Sequence, residues 1–236
     1  MAFLYSPKIV TEGLVLAIDA ANKKSYPGSG TTFTDLTRND NNGTLQNAPT
    51  YSTNDLGTLS FNGTNEYIDF SATSTTNIRG SITVAMFCKS NGVSSTAWSI
   101  YWSGVSKYSQ FILGPNSNDY KMSFLVNSSG TWYPTDYNSR DWGQSSIDIR
   151  DWHYYTGVYN NSTGMLYLYV DGVEEDSADI GSRTLSDDPN SFVIGKRDVS
   201  ADYLNFTLSH TQIYNRALSQ QEVLQNYNAL KSRFGL

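Results

Sequence analysis

The stretch from Asn190 to Phe234 reads Ser191-Phe-Val-Ile-Gly-Lys, then Tyr203-Leu-Asn-Phe-Thr-Leu-Ser-His-Thr-Gln-Ile-Tyr-Asn-Arg-Ala-Leu-Ser, then Gln220 onward. Its pattern is strand, strand and one late amphipathic helix. Ser219 is placed to cap that helix, and Glu222, three residues on, can reach back to complete a capping box. Val223, Leu224, Tyr227 and Leu230 recur at helical spacing and predict a single apolar face. Almost everything upstream reads as strand and turn. An all-β chain closed by one helix is a narrow class of fold, and one that binds sugars far more often than it performs chemistry.

Working outward, Gly80 to Ser90 is the strongest central strand, with Ile82, Val84, Met86 and Cys88 on one face. Gly13 to Ala20 is a second strong strand, and Met165 to Val170 a third, turned by Asp171-Gly172 into Val173. Thr58 to Phe61 and Glu66 to Phe70 read as two strands, with Asn62-Gly63 between them as a hairpin signal. The middle third breaks into Trp98–Ser103, Gln110–Leu113, Tyr120–Val126 and Thr131–Tyr137. Residues 22–49 are polar and turn-rich, which predicts a long surface excursion. Residues 1–12 read as an extended arm, and 13–236 as one domain with no linker or fixed repeat.

Composition supports this reading and excludes several functions. Aromatics make up 14% of the 236 residues and charged residues 16%, the latter below the roughly 25% of ordinary globular domains. The net charge of −6 and the absence of a basic stripe argue against nucleic acid as a partner. No apolar run approaches the roughly 20 residues that cross a bilayer. No charged start leads into an apolar stretch, so no secretion signal is expected. Cys88 is the single cysteine, so no internal disulfide can form, and its place in an apolar alternation predicts a small core residue. The Asn-x-Ser/Thr triplets at Asn42, Asn62, Asn127, Asn160, Asn161 and Asn205 fit a turn-rich chain made without a secretory route.

Three segments carry a resemblance. They are Lys8 to Asn22 with Tyr26 to Leu36; Leu59-Ser-Phe-Asn-Gly-Thr-Asn-Glu-Tyr-Ile-Asp-Phe; and Ile213-Tyr-Asn-Arg-Ala-Leu-Ser-Gln-Gln-Glu-Val. Together they resemble laminin-G-like domains of the concanavalin A-like lectin/glucanase superfamily, and the opening resembles versions found in structural proteins of tailed bacteriophages. The resemblance implies an all-β fold, a two-sheet antiparallel jelly-roll β-sandwich with one short C-terminal α-helix. It implies a non-enzymatic virion protein of decoration or fibre type, made in the host cytoplasm. Its partners would be other virion proteins, further copies of itself and cell-surface glycans. The alternative is a carbohydrate-binding lectin module, and the third reading a polysaccharide-cleaving enzyme.

The sequence bears unevenly on these readings. Glucanases on such a fold need closely spaced carboxylates sharing one strand face, and no Glu-x-Asp-x-Glu array is present. His153 and His210 lie in no metal signature, and no Gly-x-Ser-x-Gly elbow occurs. Some relatives hold calcium at the sandwich rim. Here Asn205-Phe-Thr-Leu-Ser-His stands where such relatives carry acidic residues, which leaves Asp35, Asp40, Asp198 and Asp202 as weaker oxygen donors for calcium. Glycan sites pair aromatic platforms with amide or carboxylate groups. The stretch Trp132, Tyr133, Asp136, Tyr137, Asn138 and Trp142 has that composition. The competing reading, favoured by the dominance of large aromatics in cores and interfaces, is that these rings fill the sandwich or a subunit interface.

Overall fold

The computed structural model describes residues 7–91, 104–107, 109–116, 121–134, 149–197 and 202–236. Within them the chain forms β1 (Leu14–Asp19), β2 (Thr32–Phe33), β3 (Gly43–Gln46), β4 (Thr50–Ser52), β5 (Thr58–Asn62), β6 (Tyr67–Phe70) and β7 (Ile82–Ser90). It continues through β8 (Val105–Lys107), β9 (Phe111–Asn116), β10 (Lys121–Ser128), β11 (Thr131–Tyr133) and β12 (His153–Asn160). Then follow β13 (Met165–Val170), β14 (Val173–Asp179), β15 (Phe192–Ile194), β16 (Asn205–Tyr214) and the helix α1 (Gln220–Leu230).

The strands build two antiparallel sheets. The first runs β14-β13-β12-β7-β16-β5-β4, with β1 also paired to β16; the second runs β11-β10-β9-β8-β15-β6-β3-β2. The interior between them holds Leu16, Ile18, Phe61, Phe70, Val84, Met86, Phe124, Tyr155, Leu168 and Phe206. This is the two-sheet jelly roll expected from the sequence.

β7 is buried along both faces for seven residues, because the first sheet is covered twice. Ile82, Val84, Met86 and Cys88 enter the interior cluster. Ala85 and Phe87 join a second apolar layer with Trp152, Tyr154, Tyr214, Val223 and Leu230, under α1. The helix is held by the predicted capping box: the Ser219 hydroxyl accepts from the Glu222 N–H, and the Glu222 carboxylate accepts from the Ser219 N–H, an arrangement that contributes about 1 kcal/mol. Leu224 departs from the predicted apolar face. It is 42% exposed, leaning over Gly172 at the β13–β14 turn. That turn is the predicted Asp171-Gly172 pair, with φ of 55° and 82°.

The described part of the opening segment, residues 7–12, lies along the helix. Val10 donates its N–H to Asn226 Oδ1 (2.7 Å) and its carbonyl accepts from the Tyr214 hydroxyl (2.9 Å). Gln225 Nε2 reaches the Lys8 carbonyl at 2.7 Å.

Two expectations are corrected. Residues 22–49 are not a surface excursion: they supply β2 and β3 and bury Tyr26, Phe33, Asp35, Asn41 and Leu45. Polar groups do the ordering there. The Asp35 carboxylate accepts from the N–H groups of Ala17, Thr37 and Asn41 and from the Thr37 hydroxyl, while the Asn39 and Asn41 amides donate to the Val15 carbonyl. Each buried polar group thus finds a partner. The second correction concerns Asn62-Gly63, which does not close a hairpin. β5 pairs with β16 and β4, whereas β6 pairs with β15 and β3, in the other sheet. The Asn62 side-chain oxygen accepts from the Thr64 and Asn65 N–H groups and makes a corner between sheets. β8 was not anticipated, and the predicted strand Trp98–Ser103 lies outside the described residues.

Candidate functional site

Alternation on β6 and β3 decides what the second sheet shows to solvent. Ile68, Phe70 and Leu45 point into the core, so Tyr67, Asp69, Thr44 and Gln46 face outward. The register sets Gln46 opposite Tyr67 and Thr44 opposite Asp69. Beyond β15 an antiparallel bridge joins Lys196 to Tyr203 and brings both onto this face. The Tyr67 and Tyr203 ring centroids are 6.1 Å apart at 48°, and the Lys196 ammonium sits 4.2 Å from the centre of the Tyr67 ring. Partial burial raises the Tyr67 phenol above its ordinary range, with Asp69 and Tyr203 pushing the same way. The phenol therefore stays protonated and can donate a hydrogen bond at neutral pH.

The residues singled out from the sequence fall elsewhere. Trp132 pairs with Asn127 and Tyr133 with Val126 on β11. They are successive residues of the edge strand of the second sheet. Both are half-buried against the core, and the Arg183 guanidinium lies 3.9 Å over the Tyr133 ring. Asp136, Tyr137, Asn138 and Trp142 lie outside the described residues. Tyr67 and Tyr203 were not singled out. The signal for Tyr67 was present in the alternation of Tyr67-Ile-Asp-Phe, but nothing local links it to Tyr203.

Three of the four calcium candidates lie among the described residues. Both oxygens of Asp35 already accept hydrogen bonds, from its own loop and from the Ala17 N–H on β1. Asp40 is exposed on a left-handed turn with φ 54°. Asp202 lies 3.9 Å from Arg197 Nη1, and Asp198 is outside the described residues. Among the described residues, no three His, Cys, Asp or Glu side chains are placed to hold a metal ion.

The histidines sit in structural pairs. His153 Nδ1 is 2.7 Å from Asp171 Oδ2, and Asp171 Oδ1 accepts from the Tyr154 N–H, which ties the β13–β14 turn to β12. His210 Nδ1 lies 3.7 Å from Asp19 Oδ2, deep beneath the C-terminal residues. Cys88 is buried, and burial pushes its thiol far above the usual range, so it is not a ready nucleophile. Glu174 and Glu175 lie on β14, the solvated edge of the first sheet. Among the described residues, no helix is long and apolar enough to cross a membrane.

Comparison with known proteins agrees with this architecture. No curated protein matches the chain. Among solved structures, the binding domain of Paraclostridial Mosquitocidal Protein 1 superposes with a TM-score of 0.69 at 17% identity, over 92% of this chain and 52% of that one. This chain thus spans about half the length of that domain. Domain 4 of AbnA, a GH43 extracellular arabinanase from Geobacillus stearothermophilus solved with arabinotriose, gives 0.63 at 16% identity, over 91% of this chain and 98% of that one. Trypanosoma rangeli sialidase in complex with sialic acid gives 0.65 at 15% identity, over 98% of this chain and 36% of that one. These similarities establish the fold. A family model described as the concanavalin A-like lectin/glucanases superfamily, of laminin-G type, matches residues 62–224, well over half of the sequence. With two antiparallel sheets, the late capped helix and that match in agreement, the chain belongs to the concanavalin A-like lectin/glucanase superfamily.

Proposed function

We propose that this chain is a non-catalytic carbohydrate-binding module whose ligand lies across the outer face of the second sheet, over Tyr67 and Tyr203. One observation carries the reading: on that face two rings, a carboxylate, an amide, a hydroxyl and an ammonium stand together, and the polar ends of Tyr67, Asp69, Gln46, Thr44, Tyr203 and Lys196 make no hydrogen bond to the described residues. Asp35 and Asn62, by contrast, spend their polar groups on their own loops. A sugar presents an apolar ring face and a rim of hydroxyls, which this combination complements. The absence of a Glu-x-Asp-x-Glu array and the similarity to the binding domain of Paraclostridial Mosquitocidal Protein 1 support a role without bond cleavage.

On a glycan array the intact chain is expected to retain a set of oligosaccharides. Tyr67→Ala should weaken retention about tenfold, equivalent to ~1.4 kcal/mol, with no change in melting temperature, and Trp132→Ala should leave it intact. An array silent on every sugar, or a Tyr67→Ala protein that binds like the parent, would sink the reading.

The setting we propose is the surface of a virion, as a decoration or fibre-type subunit that associates with its own copies and with other virion proteins. It rests on the resemblance of Lys8 to Leu36 to the opening of bacteriophage structural proteins. Mass spectrometry of gradient-purified particles should recover this chain at a fixed copy number. Its absence from the particles would refute the placement and leave the carbohydrate reading standing.

A further inference from the structure

We infer that the sandwich has a second ligand site, distinct from the outer face of the second sheet, in which Arg183 seated on Tyr133 receives the carboxylate of an acidic saccharide. Arg183 lies in the segment that crosses from β14 to β15, beside the edge strand β11. β11 stands five strands from β6, which is about 24 Å at the usual strand spacing. The site therefore cannot be part of the Tyr67 surface, and it goes beyond the function proposed there.

Four contacts immobilise Arg183. Its main-chain N–H is held by the Tyr159 hydroxyl (2.6 Å) and by Asn161 Oδ1 (2.8 Å). Its Nε donates to the Ile180 carbonyl at 2.5 Å. The flat guanidinium stacks 3.9 Å above the Tyr133 ring. What remains is the outer edge of the fork. Neither Nη atom bonds to any described residue, and no carboxylate among the described residues pairs with the guanidinium. That separates Arg183 from Arg216, Arg233 and Arg197, which lie against Glu222, Asp19 and Asp202 respectively. In a chain of net charge −6 carboxylates are plentiful, yet among the described residues this fixed cation pairs with none of them.

A planar fork with two parallel N–H directions fits a carboxylate bidentately. Fixing it in advance removes most of the entropy cost of engaging a ligand. Beside it, the Asn161 amide oxygen is filled by the Tyr159 hydroxyl, the Ser182 hydroxyl and the Arg183 N–H, while its NH2 makes no bond to any described residue. This is a neutral donor suited to a sugar hydroxyl next to the carboxylate. A single positive charge with a neutral donor at its side matches a monoanionic sugar acid better than a dianionic phosphate.

The test is isothermal titration of the full chain with a tetramer of galacturonic acid and with its fully methyl-esterified form, which keeps the rings and removes the charge. The acid form should bind. Esterification and Arg183→Gln should each weaken binding about tenfold or more, and Arg183→Lys, which keeps charge without the fork, should restore only part of the loss. Melting curves of both variants should match the parent, and Tyr67→Ala should leave this binding unchanged. No binding of the acid form, equal binding of the ester, or full binding by either Arg183 variant overturns the inference. So does loss of binding in Tyr67→Ala, or displacement of the saccharide by inorganic phosphate more readily than by acetate at equal ionic strength.

Discussion

Arg233→Ala is expected to cost about 3 kcal/mol of stability, a fall of about 6–12 °C in melting temperature for a chain of this length. The two guanidinium Nη atoms meet the two oxygens of Asp19 at 2.8 Å each. The Asp19 side chain is 6% exposed and that of Arg233 22%, so the variant strands a buried carboxylate. Asp19 Oδ1 also accepts from the Ala21 N–H, and the carboxylate stands beside His210. Removing one partner from such a pair costs more than the pair contributes net, because the remaining charge keeps its desolvation penalty. Replacing both partners, as in Asp19→Asn with Arg233→Met, should therefore recover part of the loss.

The same pair sets an acid limb. Burial on its own would raise the Asp19 carboxyl, but its neighbours outweigh it, with His210 beside it and the paired Arg233 guanidinium bonding both oxygens, and hold the group well below its ordinary value of 3.8. A depressed folded value means that the stabilisation is complete above pH ~4 and disappears as the pH falls through the folded value. Glu222 acts in the same window: the Arg216 hydrogen bonds pull it from 4.5 to about 2. Chemical denaturation from pH 2 to 8 should show the Arg233→Ala penalty constant above pH ~5 and shrinking below pH ~4. A penalty independent of pH would mean that the loss is one of packing, not of charge.

The elements legible in the sequence share one property: their signals are local and long enough to average. β7 offers nine alternating residues, and the capping box is complete within four. Asp171-Gly172 specifies a turn whatever surrounds it. The failures are pairings and short strands. β2 and β3 span two and four residues, too few for alternation to register, and what buries them is the hydrogen-bond hub at Asp35. Asn62-Gly63 does mark a reversal, but a turn signal cannot say which sheet the next strand joins. The proposed sugar face was hidden for the same reason: Tyr67 and Tyr203 meet only because β15 lies beside β6.

Gly157→Ala should be nearly as damaging, costing about 3 kcal/mol through overpacking, and it tests how the two sheets hold each other. Gly157 lies mid-strand on β12, opposite Val84 of β7 and Leu168 of β13. A Cβ there would fall 2.1 Å from Phe124 Cγ and 2.3 Å from Cδ2. Phe124 is fully buried and reaches across from β10 of the other sheet, so its ring occupies the volume a side chain at 157 would need. Interiors packed to crystal density have no slack for a methyl group. The ring or β10 must move, and β10 carries β11 with Tyr133. The glycine is therefore required by space, and trimming the ring should relieve the clash. Phe124→Leu on its own opens a cavity and destabilises. Combined with Gly157→Ala, the loss should fall short of the sum of the two single losses by at least ~1 kcal/mol. Urea denaturation of the four proteins measures that coupling. Strict additivity would show that Phe124 does not determine the residue at 157, and that sheet-to-sheet packing does not set the position of the edge strand bearing Tyr133.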